Sequence, residues 1–213
     1  MSDKFRWRDN PNIIARLLDA NNINTWKAQE VVLKPNEACV FIVDGRIGDI
    51  LTEKIVGNIA GGFNRFLGEM MGVTAKDRRL LFALTGPADI SIPFFANLPN
   101  GSKVSGFANV RVQLRNDDIP KLLNMFANSA PVLDRKRLAE VLHNELMMRV
   151  INPSLAECSS DEDLRSAAFQ DKFEMRTEVE LRSTLSTLGF TLLKAFLTAV
   201  SYTHLTLPTI LLV

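Results

Sequence analysis

Residues 105–115 alternate regularly enough to fix one element and much of what must surround it. Gly106, Ala108, Val110, Val112 and Leu114 fall on one side, with Ser105, Asn109, Arg111, Gln113 and Arg115 on the other. A period of two sends alternate side chains to opposite faces, so the segment predicts a strand with one apolar and one wet face. Such strands belong to antiparallel sheets, since parallel sheets are normally covered on both sides. The chain must therefore supply further strands as neighbours and a layer over the apolar face.

Strand neighbours are plentiful before this point. Val31-Val32-Leu33, Ala38–Val43 and Ile47–Leu51 are separated by Lys34-Pro35-Asn36-Glu37 and by Asp44-Gly45. Asp-Gly is a strong two-residue hairpin turn because both positions tolerate positive φ. These runs predict a three-stranded antiparallel meander, and strands resume at Arg79–Leu84 and Asp89–Phe95. Residues 11–20 read differently: after Asp9-Asn10-Pro11, Ile13, Ile14, Leu17 and Leu18 recur at helical spacing behind a helix-starting proline, which predicts a short amphipathic helix in a lead spanning 1–28.

The covering layer follows the long strand. Asp117-Asp118-Ile119-Pro120 starts a helix through Phe126, and Asp134 starts a second, in which Leu138, Val141, Leu142 and Leu146 share a face. Ser160-Asp-Glu-Asp163 resembles a capping box opening a third, which runs to Leu188 and stops at Gly189. Phe190–Thr198 returns to strand character. Antiparallel meander and hairpins, then helices, then one closing strand make an α+β fold. Between the strands, 53–75 reads as a glycine-rich apolar helical insertion, with Ile55, Ile59, Phe63, Phe66, Leu67 and Met70 on one face. Its interior glycines each cost about 1 kcal/mol relative to alanine, so it needs a surface to pack on.

Composition narrows the function. A length of 213 residues suffices for a stable core, and a net charge of +1 gives no basic surplus for nucleic acid. Two cysteines, Cys39 and Cys158, build no disulfide framework and suit a reducing compartment. No apolar run approaches the roughly 20 residues of a membrane-spanning helix, and the start lacks a signal-peptide core. A cytoplasmic protein, peripheral to a membrane at most, is expected. Two segments could touch lipid: Lys4, Phe5, Arg6, Trp7 and Arg8, which alternate cations with aromatics, and Phe63, Phe66 and Met70 of the 53–75 segment. The alternatives are Trp7 docked on the domain and the 53–75 helix packed in the core or a subunit interface.

Chemistry is sparse. His143, in Leu142-His-Asn-Glu145, lies at the edge of an apolar helix face and reads as a boundary histidine. Cys39 sits inside an apolar run as a small hydrophobe. Cys158, ahead of the expected helix start at Ser160, would gain thiolate character from a helix N-terminus and is the one candidate nucleophile. Gly57-Asn-Ile-Ala-Gly-Gly62 has no following Lys-Ser/Thr and is not a phosphate loop. No catalytic, metal or cofactor set assembles.

The end of the chain carries its own signature. Val200-Ser-Tyr-Thr-His-Leu-Thr-Leu-Pro-Thr209 resembles a transposon-type library adapter translated in frame, and the flanking bases fit Ala199 and Ile210. Ala199 is then expected to be the last genuine residue of this chain, the real gene product is expected to be longer, and residues 200–213 carry no functional weight.

Three stretches together resemble the SPFH, or band 7, domain of the stomatin, prohibitin and flotillin superfamily. They are Val32-Leu-Lys-Pro-Asn-Glu-Ala-Cys-Val-Phe-Ile-Val-Asp-Gly-Arg-Ile47; Gly106–Arg115 running into Asn116-Asp-Asp-Ile-Pro-Lys-Leu-Leu123; and Glu180-Leu-Arg-Ser-Thr-Leu-Ser-Thr-Leu-Gly-Phe-Thr-Leu-Leu193. The likeness covers about 29–199 and is nearest to soluble bacterial members of the virion-core-like branch. The 53–75 segment has no place in the general family pattern, and the family's coiled-coil or zinc-ribbon region would lie beyond Ala199. The resemblance implies a non-enzymatic homo-oligomeric scaffold on the inner face of the bacterial membrane, organising membrane or membrane-stress proteins. The rival expectations are a small enzyme using Cys158 and a monomeric protein-binding module on the same fold.

Overall fold

The computed structural model describes residues 6–19, 31–52, 55–56, 77–126, 130–160 and 162–201. Its strands are β1 (Ile13–Asp19), β2 (Val31–Val32), β3 (Glu37–Val43), β4 (Arg46–Thr52), β5 (Ile55–Val56), β6 (Arg78–Leu84), β7 (Ala88–Asn97), β8 (Lys103–Leu114), β9 (Val132–Asp134) and β10 (Phe190–Ser201). Its α-helices are α1 (Arg135–Glu145), α2 (Asn152–Ala156) and α3 (Ala167–Thr187). A 3-10 segment, Asn116–Met125, follows β8, and a π-helical stretch, Leu146–Ile151, joins α1 to α2. The protein is an α+β fold of antiparallel sheets, a helical region and a closing strand.

One sheet has the order β4-β3-β6-β1-β9, a second β10-β8-β7, and β2 pairs with β5. The β3–β4 hairpin turns on Asp44-Gly45, with φ of 47° and 77°, the positive values that such a turn demands. Every residue of β3 is buried, so the sheet is covered on both faces at this strand, while the edge strand β4 stays partly exposed. Trp7 supplies part of that cover, stacked on Phe82 with ring centroids 5.7 Å apart.

Three expectations are corrected. Residues 13–19 form a strand between β6 and β9 where a helix was predicted. The spacing of Ile13, Ile14, Leu17 and Leu18 fits a buried strand as well as a helix, and a run this short is decided by its neighbours. Val31–Val32 is not the first strand of a meander with β3. It pairs with Ile55–Val56, so the predicted helix over 53–75 does not include those two residues, while β3 takes β6 as its second neighbour. Apart from Ile55 and Val56, the 53–75 segment lies outside the described residues.

The third correction concerns α3. It starts at Ala167 under a Ser166 cap, whose Oγ accepts from the Phe169 N–H at 3.1 Å. Asp163 is spent earlier, its Oδ2 accepting from the Ser159 and Ser160 N–H groups, so the Ser160 motif closes a loop ahead of the helix. The far end follows the sequence: Gly189, at φ 86°, ends the helix and β10 runs back antiparallel to β8. β10 continues through Val200 and Ser201, opposite Ser105 and Val104.

The second sheet carries the predicted alternation. Val104, Ala108, Val110, Val112 and Leu114 of β8 are buried, while Phe107 and Arg111 are exposed. Helix α1 lies against β7 and α3 against β10. Asp134 caps α1 as expected, Oδ1 accepting from the Arg137 N–H at 2.8 Å. Leu138, Leu142 and Leu146 form the buried stripe, and Val141 stands off it, 45% exposed.

Candidate functional site

The surface least explained by folding is the outer face of β7-β8-β10. Strand register sets its side chains in rows: Asp89, Arg111 and Lys194; then Ser91, Asn109 and Phe196; then Pro93, Phe107 and Thr198; then Phe95 and Ser105. Opposed residues are neighbours and diagonal ones within reach of aromatic rings, so Phe95, Phe107 and Phe196 make one oblique stripe. These rings are 60%, 51% and 41% exposed. Large apolar groups normally sit inside, and a grouped exposed set marks a contact surface.

Polar order holds the stripe in place. Ser91 Oγ donates to Asn109 Oδ1 at 2.8 Å, and Asn109 Nδ2 donates to Thr198 Oγ1 at 3.1 Å, a ladder across all three strands. At one end Arg111 grips Asp89 through Nε and Nη2, at 2.6 and 3.1 Å, and that hydrogen bonding holds the Asp89 carboxyl below its usual range. Sequence reasoning missed the stripe because it sorted 105–115 by its apolar side. The signal was present: Phe107 stands among Ser105, Asn109 and Arg111 on the wet side.

Beside this face a cleft of about 650 Å3 runs between β7 and α1, lined by Asp89, Ser91, Arg135, Lys136, Glu140 and His143 among others. Its charges are of both signs. Ser91, which lines the cleft together with His143, donates its hydroxyl proton to Asn109 Oδ1. Among the described residues, no three His, Cys, Asp or Glu side chains gather closely enough to hold a metal.

The remaining sequence candidates separate. Trp7 is 1% exposed, and its Nε1–H donates to Glu37 Oε2 at 3.1 Å. An indole in the core cannot lie among lipid headgroups, so the expectation of a Trp7 membrane contact is corrected in favour of docking. Arg8 is half-buried, its guanidinium donating to the Ile13 and Pro11 carbonyls, and burial lowers its pKa. Arg6 is exposed. Lys4, Phe5, Phe63, Phe66 and Met70 lie outside the described residues.

Cys158 loses the premise that made it a candidate. The helix whose N-terminus would have activated it begins at Ala167, and the thiol is buried, donating to the Ser154 carbonyl at 3.5 Å. Burial, then Asp163 and Glu157, push its pKa up, and burial does the same to Cys39. A raised thiol pKa means less thiolate at any pH below it, so nucleophilicity falls. Both cysteines should react with an aromatic disulfide reagent near pH 8 at under about a tenth of the free-cysteine rate, and at the full rate once urea unfolds the chain. Fast labelling of native protein that disappears in Cys158→Ser would restore the thiol as a candidate.

The fold and its outer face thus define an α+β domain with an exposed, ordered aromatic surface. In comparisons with known proteins, no family model and no curated protein matches this chain.

Proposed function

We propose that the chain is a non-enzymatic scaffold of the SPFH or band 7 type, self-associating and peripheral to the inner face of the bacterial cytoplasmic membrane, where it organises membrane or membrane-stress proteins. The observation that carries the reading is the aromatic outer face of β7-β8-β10, which burial in the monomer leaves unused. The order of strands, helices and closing strand supports it, being the order the resemblance implies. Among the described residues no helix is long and apolar enough to cross a membrane.

The mechanism is multivalency. Each subunit contributes a weak contact, and assembly converts many such contacts into firm attachment through effective concentration. Light scattering on the full chain should show a mass that rises with concentration, and vesicles containing anionic lipid should sediment the assembled protein. A chain that stays monomeric up to about 200 μM and leaves such vesicles bare would overturn the proposal.

A further inference from the structure

We propose that Asn100 is a modification site, which loses its side-chain amide to attack by the next backbone nitrogen when the β7–β8 turn opens, and that the change unlatches this turn from the loop after α2. Asn100-Gly101 is the one Asn-Gly step in the chain. It lies between β7 and β8, and both residues are exposed. Glycine leaves the attacking nitrogen unhindered, because its residue carries no Cβ. The surroundings are open as well: Gly101 has φ 85°, and nothing lies within 4 Å of where a Cβ would stand.

The reaction needs only water and hydroxide. Hydroxide takes the Gly101 amide proton, the nitrogen attacks Asn100 Cγ, and the new C–N bond closes a succinimide ring. The Cγ–Nδ2 bond breaks, and Nδ2 leaves as ammonia with a proton from water. Water then opens the ring at one of its two carbonyls, which leaves aspartate or isoaspartate at position 100.

The native turn both prepares this step and holds it back. Asn100 Oδ1 accepts from the Ser102 N–H at 2.9 Å, an Asx turn whose donor would stabilise the negative charge that attack places on that oxygen. Against this, the Gly101 N–H donates to the Leu98 carbonyl at 2.9 Å, and Asn100 Nδ2 donates to the Ser159 carbonyl at 3.2 Å. Nucleophile and leaving group are both tied. Conversion therefore follows local opening of the turn.

The Ser159 bond gives the reaction its consequence. Asn100 and Ser159 are 59 residues apart, so the amide latches the hairpin tip to the loop after α2. A groove of about 440 Å3 runs between this tip, Phe95 to Pro99, and Asn152, Leu155 and Ala156 of α2. After conversion a carboxylate, which only accepts, faces the Ser159 carbonyl, and no donor is left between them. Asp163, whose Oδ2 accepts from the Ser159 N–H, adds a like charge beside it. The latch cannot re-form, and Cys158, buried next to Ser159, loses part of its cover.

Incubating the full chain near pH 8, native and in urea, and mapping its peptides by mass spectrometry tests this. In urea, Asn100 should convert faster than any other asparagine, and in the native chain at least about tenfold more slowly than in urea. Asn100→Asp, which carries the product side chain, should lower the urea midpoint and raise the rate of Cys158 labelling at least about threefold. Should Asn100→Asp fail to fold, the two conversion rates of wild type decide alone. Conversion in urea no faster than at other asparagines overturns the site. Equal rates in native and unfolded chain overturn the control by the turn. An Asn100→Asp chain with wild-type midpoint and wild-type labelling overturns the latch.

Discussion

Gly106→Ala should cost more stability than any ordinary surface substitution, and should separate β10 from β8 or prevent folding. A Cβ built on Gly106 would lie 1.9 Å from the Thr198 carbonyl oxygen and 2.9 Å from the Ala199 Cα, and both are backbone atoms. A flexible side chain could move aside, but here the paired strand itself must move. The Ala199–Gly106 pairing lies near the end of β8 that precedes Phe107. Extra methylenes in packed sites usually cost about 1–3 kcal/mol, and a clash with main chain on this scale exceeds that range. Gly45→Ala is the control: φ is 77° there, but nothing lies within 4 Å of the new Cβ, so only the conformational cost of about 1 kcal/mol applies. Urea unfolding of both variants by circular dichroism checks the pair. A Gly106→Ala midpoint no lower than that of Gly45→Ala would show that the strands do not approach as described.

The features legible in the sequence were those decided locally. Asp44-Gly45 and Gly189 are positions where backbone conformation selects the residue, so turn and helix end could be read directly. The alternation of β8 was legible because its two faces meet different media. What failed was decided by partners far along the chain. Ile13–Asp19 takes strand geometry because β6 and β9 supply its hydrogen bonds, and no periodicity in seven residues could reveal them. Val31–Val32 was assigned to the nearest run, yet its partner is Ile55–Val56. Ser166 displaced Ser160 as the cap because Asp163 could be satisfied equally well by a loop. The aromatic stripe needs three strands in register, Phe95, Phe107 and Phe196 being separated by up to a hundred residues. Each was visible singly as an aromatic within a strand, and only pairing gathers them onto one face.

Trp7→Ala is expected to lower stability by about 3–5 kcal/mol, the range for truncating a large buried aromatic. The residue is among the largest fully buried side chains, it stacks on Phe82 at the centre of β6, and its indole N–H satisfies Glu37. Glu37 is itself buried, 6% exposed, and the same Oε2 accepts from the Lys34 N–H at 3.0 Å. Losing the indole removes one of two donors to a carboxylate oxygen shielded from water, which adds to the loss of packing. Trp7→Phe separates the contributions: the ring survives and the donor goes, so the cost should fall to about 1–3 kcal/mol. The comparison also tests the docked indole against the interfacial anchor expected from the sequence. An interfacial anchor would leave stability untouched in Trp7→Ala and weaken vesicle binding, whereas a docked indole lowers the unfolding midpoint with no lipid present. Equal midpoints for wild type and Trp7→Ala in urea would return the residue to the surface, and would take with it the path by which the chain before β1 is tied to β3 and β6.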